Sequence, residues 1–108
     1  MENVVMCAAS KYEKKFFLDP RFDKLPEQIK AELKIICVLY TNECGGIITM
    51  EFDEEGNLLL KTASKEEDIL YDEISAGLKI REIQKKNQEL FEQLELYYAA
   101  LNGRLPKE

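Results

Sequence analysis

The last third of the chain sets a stripe, apolar but for one Asn, at alternating steps of four and three: Ala76, Ile80, Ile83, Asn87, Leu90, Leu94, Tyr97 and Leu101. A helix repeats every 3.6 residues and a strand every two, so this run specifies a long amphipathic helix. The same spacing is a heptad seam with Ile80, Asn87, Leu94 and Leu101 at a positions, and one Asn in an apolar seam fixes register and strand number in two-stranded coiled coils. Ile80, Ile83, Asn87, Leu90, Leu94, Tyr97 and Leu101 are therefore candidate interface residues. Phe91 and Tyr98 widen the stripe beyond a strict seam, which equally suits a helix packed on its own domain. Tyr97-Tyr98 with Phe91, Leu94 and Leu101 reads either as an aromatic patch for a partner or as internal packing. On either reading Asn87 needs a hydrogen-bond partner, because a buried unpaired amide costs about 1–3 kcal/mol.

The rest of the chain divides at its turns. Ser64-Lys65-Glu66-Glu67 has the form of a capping box and opens a helix that could run to Leu101 and stop at Asn102-Gly103. Gly77 is its weak point, at about 1 kcal/mol relative to Ala, so one rod and two remain open. Pro26 and Glu27 suit a helix start. Ile29, Leu33, Ile36, Cys37 and Tyr40 then form one apolar stripe, and Gly45-Gly46 stops the helix. Ile47 to Phe52 and Leu58 to Thr62 flank Asp53-Glu54-Glu55-Gly56 and predict an antiparallel hairpin. Residues 4 to 18 are ambiguous: Ala8, Tyr12 and Phe16 have helical spacing, whereas Val4-Val5 and Phe16-Phe17-Leu18 have strand composition. The expectation there is a short helix passing into an extended segment, with an edge strand as the alternative. The fold class is α+β, with two helices on one face of a small antiparallel sheet. A lone hairpin is marginal, so a third strand is expected from the N-terminus or from a second copy of the chain.

Composition narrows the function. A chain of 108 residues forms one domain that buries roughly 65% of its unfolded surface. It has no His, which removes Ser-His-Asp triads, Cys-His pairs and imidazole metal sites. Its net charge of −6 is uneven: residues 1–34 carry +1, residues 35–73 carry −8 and residues 74–108 carry +1. That acidic middle repels phosphate backbones, and no basic stripe with interleaved aromatics offsets it, so no nucleic-acid partner is expected. The longest apolar run, Ile35 to Tyr40, is far short of the roughly 20 residues that a membrane helix needs. Cys7, Cys37 and Cys44 are odd in number and lack C-x-x-C spacing, which suits reduced core thiols. With no basic leader at the N-terminus, a cytoplasmic protein without membrane contact is expected.

Three patterns could carry chemistry, and each has a simpler reading. Asp53-Glu54-Glu55 lies in a turn, and Glu66-Glu67-Asp68 sits where a helix start favours negative charge. Aligning Gly56 with the EF-hand glycine puts Thr62 at the position that needs a bidentate carboxylate. Gly45-Gly46 lies between helix and strand, the reverse of a phosphate loop. No cofactor and no catalytic or metal-binding residue is expected.

The segments KLPEQIKAELKIICVLYTNECGGI, FDEEGNLLLK, LYDEISAGLKIREIQ and LELYY resemble a small bacterial family, typical of gut Firmicutes, known only as a domain of unknown function. The resemblance spans about Cys7 to Tyr98. It implies a stand-alone cytoplasmic protein of about this length and supplies no activity, ligand or site residue. The order helix, Gly-Gly, strand, acidic turn, strand, helix is similar to the first half of roadblock-type regulatory domains, which dimerise and act as scaffolds; the three further strands of that fold are not in this chain. The sequence is thus expected to encode a non-enzymatic interaction or regulatory domain with an unknown protein partner. It is expected to be homodimeric through the C-terminal helix, the sheet edge or both. The alternative is a small-molecule or divalent-cation-binding domain, conceivably an enzyme, using the carboxylates of the middle third, Glu66, Asp68 and Asp72 among them.

Overall fold

In the computed structural model, which describes residues 3–101, the chain forms an α+β fold. Its elements are β1 (Val4–Ser10), β2 (Lys15–Leu18), a 3-10 turn (Pro20–Phe22), α1 (Glu27–Cys44), β3 (Ile47–Phe52), β4 (Leu58–Ala63), α2 (Glu73–Lys86) and α3 (Gln88–Leu101). The sheet has four antiparallel strands in the order β2-β1-β3-β4.

The alternation expected from Ile47 to Phe52 holds: Ile48, Met50 and Phe52 are fully buried and their neighbours are half-buried. One face of the sheet therefore carries the helices. Cys7 and Ala9 of β1, paired with Met50 and Ile48, continue that face. An irregularity in the β1–β3 register between Val5 and Cys7 brings the consecutive residues Met6 and Cys7 both into the core, as a bulge does when it breaks strict alternation. Leu33, Cys37 and Tyr40 of α1 close over these positions, and the Cys7 and Cys37 sulfurs lie 3.9 Å apart. At the far end, Phe52 stacks on Tyr98 of α3 with ring centroids 4.1 Å apart, and Phe22 stacks on both. Offset ring pairs of this kind contribute about 0.5–1.5 kcal/mol beyond their buried area.

Residues 4 to 18 correct the expectation of a short helix. They form a β-hairpin, and β1 occupies the middle of the sheet rather than an edge. Ala, Lys and Glu at positions 8 to 15 favour helix locally, but β3 has a second edge of backbone donors and acceptors to satisfy, and tertiary pairing overrides propensity. The hairpin turns at Lys14, whose φ of 55° is the one positive value at a non-glycine residue among the described residues.

The helix expected from Ser64 is corrected as well. Residues 64–72 form turns, and α2 begins only after Asp72, whose carboxylate accepts hydrogen bonds from the Ile74 and Ser75 N–H groups and the Ser75 hydroxyl. The segment is pinned where it stands. The Tyr12 hydroxyl donates to the Asp68 carboxylate at 2.6 Å and accepts from the Lys65 N–H, and the Tyr71 and Tyr40 hydroxyls are bonded at 2.7 Å. Tyr71 also packs so tightly on Gly46 that a Cβ there would sit 2.6 Å from its ring and 2.6 Å from the Ala63 carbonyl oxygen. A helix starting at Ser64 could not meet both tyrosine contacts. The break between the last two helices falls at Asn87 rather than Gly77. Asn87 adopts φ −114°, ψ 25°, and its side-chain amide donates to the Ile83 carbonyl at 2.9 Å.

Two predictions follow from these contacts. Gly46→Ala, at φ +70° against both a ring and a backbone carbonyl, lowers unfolding free energy by about 2–4 kcal/mol; Gly77→Ala, facing open space in a helix interior, raises it by about 0.5–1 kcal/mol. Both are read from urea unfolding midpoints. The second concerns pH. Hydrogen bonds from the Ser75 side chain and the Ser75 and Ile74 N–H groups hold the Asp72 carboxyl below the usual range. A carboxyl whose folded pKa lies below its unfolded value stabilises the fold above the unfolded pKa and loses that contribution as pH falls through the folded one. Asp72→Asn, which keeps the cap and cannot titrate, therefore makes the acid side of the melting-temperature profile shallower.

Candidate interaction surface

The seven seam residues are divided by the structure. Ile83 and Leu94 are buried, and Ile80, Leu90 and Tyr97 are half-buried against the same core. Phe91 and Tyr98, which widened the stripe, are also buried. Asn87 is half-buried and finds its partner one turn back in its own helix. Leu101 is half-exposed at the end of α3. Most of the stripe thus covers the chain's own sheet.

The middle-third carboxylates have local partners. Asp53 accepts from the Glu55 and Asn57 N–H groups, Asp68 from Tyr12, and Asp72 caps α2. Glu66 is exposed in the pinned segment. Among the described residues no group of three or more His, Cys, Asp or Glu is arranged to hold a metal ion. The thiols are no better placed for chemistry. Hydrogen bonding to Cys37 and burial push the Cys7 thiol far above its ordinary value, and burial raises that of Cys44. A nucleophilic cysteine needs the opposite shift.

What remains is apolar surface on the helical layer. Ile69 and Leu70 are 91% and 90% exposed, held outward by the tyrosine contacts on either side of them. Ile74 and Leu78, one turn apart on α2, are exposed as well. On α1, Ile35 is 56% exposed and Leu39 is close to it in exposure, although the same helix buries Leu33 and Cys37. The helix therefore has two apolar faces, as the unbroken run from Ile35 to Tyr40 requires.

A groove of about 270 Å³ lies between α1 and α2, where Ile35, Ile36 and Leu39 face Ile83 and Asn87. Its rim holds two carboxylates and two ammonium groups, Glu32, Glu82, Lys79 and Lys86. Lys79 bridges the helices, 2.9 Å from the Glu43 carboxylate and 3.6 Å from that of Glu82. The Glu43 carboxylate raises the Lys79 pKa, so this cation persists through the neutral range. The open face of the sheet differs in kind. Its centre is Glu51, which accepts from Thr49 and Asn3 and pairs with Lys61.

The match that bears on identity covers residues 3–104, which fit the model of a family of unknown function, DUF6145. The chain belongs to that family. No curated protein and no solved structure matches it. In this chain the sheet is completed by the two strands that precede α1. No helix among the described residues is long and apolar enough to cross a membrane.

Two leucines of α1 separate core from surface. Leu33→Ala, at a fully buried position, costs about 2–5 kcal/mol. Leu39→Ser, at a half-exposed one, changes stability by no more than about 0.5 kcal/mol. Both are measured by chemical unfolding in dilute solution, where association adds nothing to apparent stability.

Proposed function

We propose that this member of DUF6145 is a one-domain interaction module that pairs with a second copy of itself through the outer face of α1 and α2, without chemistry of its own. The groove between those helices carries the reading. Its floor of Ile35, Leu39 and Ile83 is apolar, and its rim has equal numbers of opposite charges. A two-fold interface brings one patch against itself, so an apolar centre with balanced charge at the rim is self-complementary. The chain as a whole carries net charge −6, which disfavours non-specific self-association.

In this reading the expected assembly moves from the heptad seam to the neighbouring face, and Ile83 and Asn87 are the seam residues that border it. The protein works in a bacterial cytoplasm with its thiols reduced, and Ile69 and Leu70, outside the groove, are left for a protein partner. Sedimentation equilibrium over a wide concentration range tests the pairing. The expected result is a dimer for the unaltered chain and a monomer for Ile35→Glu with Leu39→Glu, the circular dichroism of both being the same. A monomer throughout, or a dimer unaffected by the two glutamates, overturns it.

A further inference from the structure

The opposite flank of α1 holds a second concavity, of about 440 Å³, between that helix and the turn of the N-terminal hairpin. Four lysines line it: Lys11, Lys14 and Lys15 from the turn and its edges, and Lys34 from α1. No carboxylate shares the lining. Glu13, in the same turn, lies outside it, with its N–H donating to the Ser10 hydroxyl oxygen. None of the four ammonium groups makes an ion pair with a described residue, whereas Lys30, Lys61 and Lys79 elsewhere do. In a chain with 21 acidic residues and 15 basic ones, an unneutralised group of four cations runs against the overall charge.

Backbone geometry points the same way by a separate route. Lys14 stands at φ 55°, a conformation that suits Gly or Asn. A lysine there adds a fourth cationic side chain to the lining despite the strain. Such outliers gather where a ligand is held.

We infer that this pocket binds a small metabolite bearing two or more linked phosphates. Four cations exceed what a single carboxylate needs and suit the three or so charges of a diphosphate. The Ser10 hydroxyl, whose oxygen already accepts from Glu13, retains its own proton to donate. Asn42, also in the lining, adds an amide donor. Phe16 and Val38 form an apolar wall beside these donors, which suits the organic part of such a ligand. The volume lies within the roughly 300–1,000 Å³ typical of small-molecule sites. A nucleic acid suits the site less, because the acidic middle of the chain repels an extended phosphate backbone.

The test is calorimetric titration of the full chain with inorganic pyrophosphate, with adenosine diphosphate and, as a charge control, with sulfate. Pyrophosphate is expected to bind one to one, more tightly than sulfate, and more weakly as salt is raised. Lys14→Gln with Lys34→Gln, both at exposed positions, is expected to weaken it at least about tenfold through lost charge-assisted hydrogen bonds. The melting temperature without ligand should not fall. Tighter binding of adenosine diphosphate than of pyrophosphate supports a nucleotide, and equal binding supports the bare diphosphate. No heat at millimolar pyrophosphate, equal affinity for sulfate, or an affinity untouched by the two substitutions overturns the inference. So does tighter binding of a single-stranded oligonucleotide.

Discussion

Everything in this fold depends on β1 lying between β2 and β3. Its backbone pairs on both sides, with Lys15–Leu18 on one edge and Ile47–Phe52 on the other. Without the β1–β3 pairing the chain holds two separate hairpins, each marginal in water. With that pairing they become one sheet broad enough to bury Met6, Cys7, Ile48, Met50 and Phe52 under the helices. The helical layer follows from that surface. Cys37 of α1 meets Cys7 of β1, and Tyr98 of α3 meets Phe52 of β3. Helices that are individually short of strong packing thus share one core.

That dependence explains which elements local sequence specified. The strand β3 alternates cleanly, and Gly45 ends α1 at φ 78° as its position after the apolar stripe requires. Those features need only near neighbours. The N-terminal hairpin does not, because its central strand is defined by a partner some forty residues away, and Ala-Ala-Ser-Lys-Tyr-Glu reads locally as helix. The start of α2 likewise depends on residues distant in sequence. Ser64–Glu67 and Asp72–Ser75 both present a capping pattern, and the choice between them is made by Tyr12 and Tyr40, distant in sequence. Asn87, by contrast, was recognisable as a special position, although its partner is Ile83 of its own helix.

The candidate surfaces were legible to different degrees. The run Ile35 to Tyr40 announces a helix with more than one apolar face, but only the packed sheet decides that Cys37 and Tyr40 point inward while Ile35 and Leu39 point out. The heptad seam is real as a periodicity and is largely taken up in covering the sheet. The lysine pocket was beyond sequence reasoning for a different cause. Lys34 is about twenty residues from Lys11, Lys14 and Lys15, and the hairpin that brings them together was the segment read as helix. Averaging charge over the first third of the chain hid the cluster among Glu13, Asp19 and Asp23.

We propose a division of labour across the helical layer, in which the heptad stripe folds the monomer and the outer face of α1 and α2 joins two copies. Hydrogen–deuterium exchange followed at several protein concentrations separates the two directly. The account predicts that protection of α1 around Ile35–Leu39 and of α2 around Lys79–Lys86 rises with concentration, while protection of α3 around Leu94–Tyr98 stays high and unchanged. Protection that rises with concentration along α3 and not along α1 would return the interface to the seam and contradict it.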